Sequence, residues 1–189
     1  MMKSKLVFLI FLLYVLQGCA AAVVAGTAGA VSAANDRRTI GSQIDDNNIE
    51  IKATLALKKV PSLSEQANIS IISVNGTILM VGQVPTEHLM SQAALAVENA
   101  VTAKHIHNQL RIGSRIGITT QTHDTWLTSK VKTKLLTAET LTGNNIKVVT
   151  ENAEVFLMGL VTEAEANQAV EIARHVSGVS RVIKAFEYL

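Results

Sequence analysis

The stretch Ile69-Ser70-Ile71-Ile72-Ser73-Val74-Asn75-Gly76 returns later in the chain as Ile146-Lys147-Val148-Val149-Thr150-Glu151-Asn152-Ala153. The correspondence continues through Val81-Gly82-Gln83-Val84 and Met158-Gly159-Leu160-Val161. Pro85 is an extra residue in the first copy. After it Thr86-Glu87 pairs with Thr162-Glu163, and Gln92-Ala93 with Gln168-Ala169. Upstream, Ile51-Lys52 and Leu55 pair with Val131-Lys132 and Leu135. A repeat of this length means one small unit built twice, which limits the fold more than composition can. The copies cover 46–112 and 124–189, joined by a polar linker at 113–123.

Each copy reads as helix, strand, strand, helix, strand. The fold class is α/β in the α+β sense: two tandem α-β-β-α-β domains, each a three-stranded sheet covered by two helices. Asp46 and Asp124 are expected to cap the first helices. Asn75-Gly76 is a strong hairpin turn between β-branched runs, and Asn152-Ala153 a weaker version of it. Thr86 and Thr162 can cap the second helices, with Glu87 and Glu163 near the positive helix end. Gly82 and Gly159 mark close backbone approach within strands. Gly178 breaks the second copy before its last strand, where the first copy has Thr102. Val155 to Val161 is apolar on both alternating faces apart from Gly159, so the face away from the helices also needs a cover. The other copy is the cheapest cover, and a partner surface is the alternative.

Upstream of the repeat, Lys3 and Lys5 precede an unbroken apolar run from Leu6 to Leu16. That run suits a signal-peptide core and is too short to span a bilayer as a helix. Gln17-Gly18-Cys19 follows, and Cys19 is the only cysteine. The arrangement resembles a bacterial lipobox, with Gln17 in place of the usual small residue. The resemblance implies that 1–18 is a cleaved lipoprotein signal peptide and that Cys19 becomes a lipidated N-terminus. Ala20 in place of Asp implies, by resemblance to enterobacterial lipoproteins, onward export to the outer membrane. Loss of Lys3 and Lys5 brings the 17 Lys and Arg of the full chain level with its 15 Asp and Glu. A near-neutral exported chain is a poor candidate for phosphate-driven nucleic-acid binding. No disulfide can form within one chain. Residues 19–45 read as the lipidated cysteine and a tether rich in Ala, Gly and Val, spanning roughly 25–30 Å as a flexible chain. A short apolar helix lying on the bilayer is the other reading of that segment.

The paired V-x-G-x-V-like segments, the Thr-Glu helix starts and the closing Val179-Ser180-Arg181-Val182 resemble the BON domain, a small bacterial unit of periplasmic proteins. With a lipobox and tandem copies, the chain resembles the division- and outer-membrane-stress-associated lipid-binding lipoproteins. The run from Glu151 to Glu163 is particularly close to that family. The resemblance covers essentially the whole chain. It implies a lipid-anchored outer-membrane protein with its domains in the periplasm, recognition of anionic phospholipid, enrichment at the division site, and a part in envelope integrity under stress.

On a helical wheel of about 100° per residue, Leu127, Val131 and Leu135 form the stripe that faces the sheet. Trp126, the only tryptophan, lies well away from it beside Ser129, Lys130, Thr133, Leu136 and Thr137. Lys132 and Lys134 flank the stripe, and no acid interrupts 125–138. An indole among headgroups, a leucine below them and lysines over anionic lipid make a weak, reversible membrane contact. The alternative is an interdomain plug with solvated lysines. The resemblance favours lipid, and the candidate contact residues are Trp126, Ser129, Lys130, Lys132, Thr133, Leu136 and Thr137. The first copy lacks a tryptophan and carries Glu50 on its opening helix, which leaves it as a docking or packing domain. His105 and His107 share a strand face, a weak metal pattern without a third ligand. No catalytic constellation, cofactor fingerprint or small-molecule site is legible. The expectation is a non-enzymatic lipoprotein binding anionic phospholipid through the first helix of its second domain. The alternative is a protein-binding scaffold for an envelope or division partner.

Overall fold

A computed structural model describes residues 36–139 and 141–189. The leader, Cys19 and most of the tether lie outside the described residues. The first copy runs α1 (Ile40–Lys58), a short α2 (Pro61–Gln66), β1 (Asn68–Val74), β2 (Thr77–Val84), α3 (Glu87–Ala100) and β3 (His105–Ile112). The second runs α4 (Ile118–Leu136), a 3-10 turn at Gly143–Asn145, β4 (Ile146–Glu151), β5 (Glu154–Val161), α5 (Glu163–Arg174) and β6 (Arg181–Tyr188). Each copy is thus an α+β unit around a three-stranded sheet, ordered β1-β2-β3 and β4-β5-β6. The first pair in each sheet is an antiparallel hairpin, and the third strand joins in parallel.

Both hairpins turn through left-handed residues: Asn75 and Gly76 at φ 53° and 79°, Asn152 and Ala153 at φ 50° and 62°. This is the two-residue turn whose twist matches the strands it joins. Thr86 caps α3 by accepting from the Leu89 N–H, and Thr162 forms a full capping box with Glu165 on α5. Gly82 and Gly159 are needed because a Cβ would lie 1.9 Å from the Asn68 carbonyl oxygen and 2.1 Å from that of Asn145.

The expected caps Asp46 and Asp124 are corrected. α1 starts earlier, behind Thr39, and α4 starts at Ile118 behind Gly117, within the stretch read as linker. Both aspartates sit buried inside their helices. Asp46 accepts the Asn75 and Gly76 N–H groups at 2.7 and 2.8 Å, the Ser73 hydroxyl at 2.7 Å and Arg38 at 2.8 Å. Asp124 accepts the Asn152 and Ala153 N–H groups at 2.7 and 2.9 Å. A tight turn leaves two N–H groups without ladder partners, and a carboxylate on the packed helix takes both in charge-assisted bonds.

Those staples reset the register between copies. Ala53 and Leu57, not Ile51 and Leu55, take the buried places of Val131 and Leu135. Each half has a core between its helices and sheet: Leu57, Ile78, Met80, Ala93 and Val97 in the first, Leu127, Val131, Val155, Leu157 and Ala169 in the second. A third apolar layer unites Ile72, Val74, Leu79 and Val81 of the first sheet with Phe156, Met158 and Ala185 of the second. The second face of each sheet is covered by the other copy. Around that layer run Arg111–Glu154 at 3.0 Å, Lys147–Glu50 at 3.0 Å and Lys104–Glu187 at 3.0 Å. Gln83 also donates to Glu151 across it. Burial pushes the Glu151 carboxyl up, and the charge of Asp124 adds to this against the bond from Gln83. Burial would raise Glu187 too, but the bonds from Lys104 and Asn75 outweigh it and hold that carboxyl below its ordinary value.

Candidate functional site

The outer face of α4 carries the candidate contact residues. Leu127, Val131 and Leu135 are fully buried against the sheet, so the helix must turn Trp126 and Leu136 outward. Trp126 is 52% exposed and Leu136 47%. That exposure is incompatible with a buried interdomain plug, and Phe156 and Met158 fill that role instead. The Trp126 ring is held from two sides. Lys130 Nζ stands 4.6 Å from its centroid, and His123 lies tilted at 5.8 Å. Lys130 also donates to the Ser177 carbonyl at 3.2 Å, which ties it to the loop after α5.

Trp126, Ser129, Lys130, Thr133, Lys134 and Thr137 line one shallow open groove. Lys132 and Leu136 are exposed on the same helix but do not line it. Lys134 is an addition to the expected set. Ile118, at 82% exposure, is another apolar side chain on α4, missed because its segment reads as polar linker. The signal was available in the helical spacing of Ile118, Thr122, Ser129 and Leu136.

The hydroxyls on this face are already satisfied. Thr122, Thr125, Ser129, Thr133 and Thr137 each donate to the carbonyl four residues earlier, at 2.9 to 3.0 Å. Such back-bonding lets threonine present its methyl outward without stranding a polar group. The face is therefore less costly to dehydrate than its composition suggests. Among the described residues, Lys130, Lys132 and Lys134 enter no ion pair. Three cations thus border an apolar strip around one half-exposed indole.

His105 and His107 lie on β3, paired with Thr77 and Leu79 of β2. Burial, and then the charge of His105, hold the His107 imidazole below its ordinary value. Among the described residues no group of three His, Cys, Asp or Glu is placed to hold a metal. No helix among them is long and apolar enough to cross a membrane.

Two α-β-β-α-β units, the first carrying the extra short helix α2 ahead of its hairpin, packed sheet to sheet, define a tandem of one small domain. The family model described as the BON domain matches residues 45–114 and 123–189. The outer membrane lipoprotein DolP of Haemophilus influenzae is 38% identical over 186 residues, covering 98% of this chain and 96% of that protein. A 21 kDa hemolysin of Actinobacillus pleuropneumoniae is 38% identical over 154 residues, 82% of this chain and 79% of its own. The chain belongs to the BON-domain family and, within it, to the outer-membrane lipoproteins represented by DolP. It is a lipid-anchored protein of the outer membrane. A structural protein of the type III secretion system of Chlamydia trachomatis, CdsD, overlaps 75% of this chain and 92% of its own at a TM-score of 0.32 and 10% identity. A likeness that low carries no weight for fold or role.

Proposed function

We propose that the protein is a non-enzymatic lipoprotein, anchored through Cys19, that recognises anionic phospholipid with the outer face of α4. Trp126, Ser129, Lys130, Lys132, Thr133, Leu136 and Thr137 make the contact, and Lys134 adds to it. The observation that carries the reading is the half-exposed Trp126 ring with Lys130 Nζ 4.6 Å from its centroid. A pre-oriented indole loses little rotamer freedom on entering the headgroup layer, and its N–H stays among polar groups there. Each nearby lysine contributes about 1 kcal/mol over anionic lipid, less as salt rises. An anchor that raises local concentration makes a contact this weak sufficient. Recognition of anionic lipid would serve to concentrate the protein where such lipid collects, including the division site, and to support envelope integrity there.

The test is co-sedimentation of residues 35–189, which lack Cys19, with zwitterionic and anionic vesicles at two salt concentrations. Binding should require anionic lipid, weaken with salt, and fall roughly tenfold in Trp126→Ala, given what burying one large apolar side chain contributes. Binding that ignores both headgroup charge and Trp126 sinks the proposal. Retention of a protein partner after phospholipid removal would favour the scaffold reading instead.

A further inference from the structure

The first copy has an outer helix face of its own, which the repeat register hides. On α1, Ile40, Ile44, Ile51 and Leu55 are 75%, 57%, 50% and 52% exposed. At about 100° per residue they form one stripe, opposite the buried Asp46, Ala53 and Leu57. Asn47 and Asn48 are exposed within that band, so the stripe is aliphatic at its two ends and polar between them. Four large aliphatic side chains held outward on one helix face still need a cover. The acids of α1 lie off the stripe. Glu50 is turned toward Lys147 and the Ser73 N–H, Asp46 is buried under the hairpin, and Asp45 is exposed to one side of the stripe. Lys58 continues the stripe, with Lys52 and Lys59 exposed beside it. With Asp46 matched to Asp124, residues Ile40, Ile51 and Leu55 fall at the helix positions of Ile118, Ser129 and Thr133 on α4.

We infer that the occupant of this stripe is the membrane to which the chain is anchored. The chain itself supplies the argument. Ile40, the first residue of the stripe, is joined to Cys19 by a segment whose full extension cannot exceed roughly 70 Å. Of the described elements, α1 thus follows the anchor most closely along the chain. Arg37 is fixed at the same end by two bonds to Glu165, at 2.7 and 2.8 Å, so the chain enters α1 from a defined point. Apolar contact so close to the anchor needs little intrinsic affinity, because the local concentration is set by the short connection. It also differs in kind from the α4 contact, its apolar part being aliphatic with no aromatic ring. The inference rests on Cys19 being the lipidated residue and not on the α4 reading.

The test uses the full lipidated protein in vesicles of phosphatidylethanolamine and phosphatidylglycerol. With Cys19 acylated, an introduced cysteine is the only free thiol. An environment-sensitive fluorophore is placed at Leu55→Cys, at Leu95→Cys on the exposed side of α3, and at Thr137→Cys in the α4 groove, which leaves Trp126 in place. Quenching by lipids labelled in the acyl chain should be at least threefold stronger at 55 than at 95. It should persist when Lys130, Lys132 and Lys134 are all replaced by Ala. Equal quenching at 55 and 95 overturns the inference, as does loss of the signal at 55 in the triple variant. A blue shift at 55 that grows with protein concentration in detergent, without vesicles, assigns the stripe to a second copy and also overturns it. A quenched probe at 55 with an unquenched one at 137 leaves this inference standing and removes the α4 proposal.

Discussion

Ala153 stands where the first hairpin has Gly76, and it adopts φ 62° against the 79° of the glycine. A left-handed L-residue costs roughly 1–2 kcal/mol, and glycine escapes that cost while losing more chain entropy on folding. Ala153→Gly should therefore raise stability, by about 0.5–1 kcal/mol, read as a shift in urea midpoint at constant slope. An unchanged or lower midpoint would mean that the Ala153 methyl, which packs beside the second core, outweighs the strain. Gly159→Ala is the opposite case. Its Cβ would meet the Asn145 carbonyl oxygen at 2.1 Å, at φ 153°, and should cost about 3 kcal/mol or more. Glu165 supplies a pH signature. The Arg37 hydrogen bonds, against a smaller effect of burial, bring its carboxyl from 4.5 to about 2. A carboxyl depressed in the folded state contributes stability above its unfolded value and loses it as pH falls. Melting temperature should thus drop between about pH 4.5 and 2, and Glu165→Gln should flatten that part of the profile. Single residues were unevenly legible in the sequence. The repeated glycines declared close backbone approach because nothing else explains glycine inside a β-branched run. Asp46 and Asp124 resembled caps because their true partners, the turn N–H groups, lie far along the chain and leave no local mark.

At the scale of elements, α4 is a helix with opposite faces doing different work. Its buried leucines and valine made it legible by period alone. Its start was hidden, since Gly113 to His123 is polar enough to pass for a connection. The α1 register is obscured for a related reason: Ile51 and Leu55 are hydrophobic like Val131 and Leu135, although they face outward. The Asp46 and Asp124 staples show that α1 gives its buried places to the smaller Ala53 and to Leu57. The back-bonded hydroxyls of α4 generate a prediction that separates dehydration from charge. Thr133→Val keeps shape and methyl but removes a hydroxyl already spent on Ser129. It should leave vesicle binding within about twofold. Thr133→Glu, which sets an anion beside Lys130 and the lipid surface, should reduce it about fivefold or more, since a charge forced toward anionic headgroups loses about 1 kcal/mol or more. Equal effects from both variants would mean that the hydroxyl itself touches lipid.

For the whole molecule, the sheet-to-sheet layer decides whether the halves behave as one body. The sequence announced a covered second face through the double apolarity of β5, and both copies supply that cover. What it withheld was the pairing geometry, which depends on strand faces meeting across the repeat. The rim ion pairs are partly exposed, and each is worth about 0–1 kcal/mol, so the apolar layer carries the coupling. Phe156 is its largest fully buried side chain. Phe156→Ala should cost about 3–5 kcal/mol. The loss should also fall unequally, because each half keeps its own helix-covered core. Trp126 lies in the second half and is the only tryptophan, so its fluorescence reports that half alone, while far-ultraviolet circular dichroism reports both. In the parent protein the two signals should trace one denaturation curve, as a single cooperative unit requires. In Phe156→Ala the fluorescence transition should move ahead of the dichroism transition, because the half that loses the side chain unfolds first. Coincident curves in the variant would mean that the rim and the remaining layer suffice to hold the halves together. Separate curves in the parent would mean that the layer never coupled them, and that each BON domain unfolds independently on its tether.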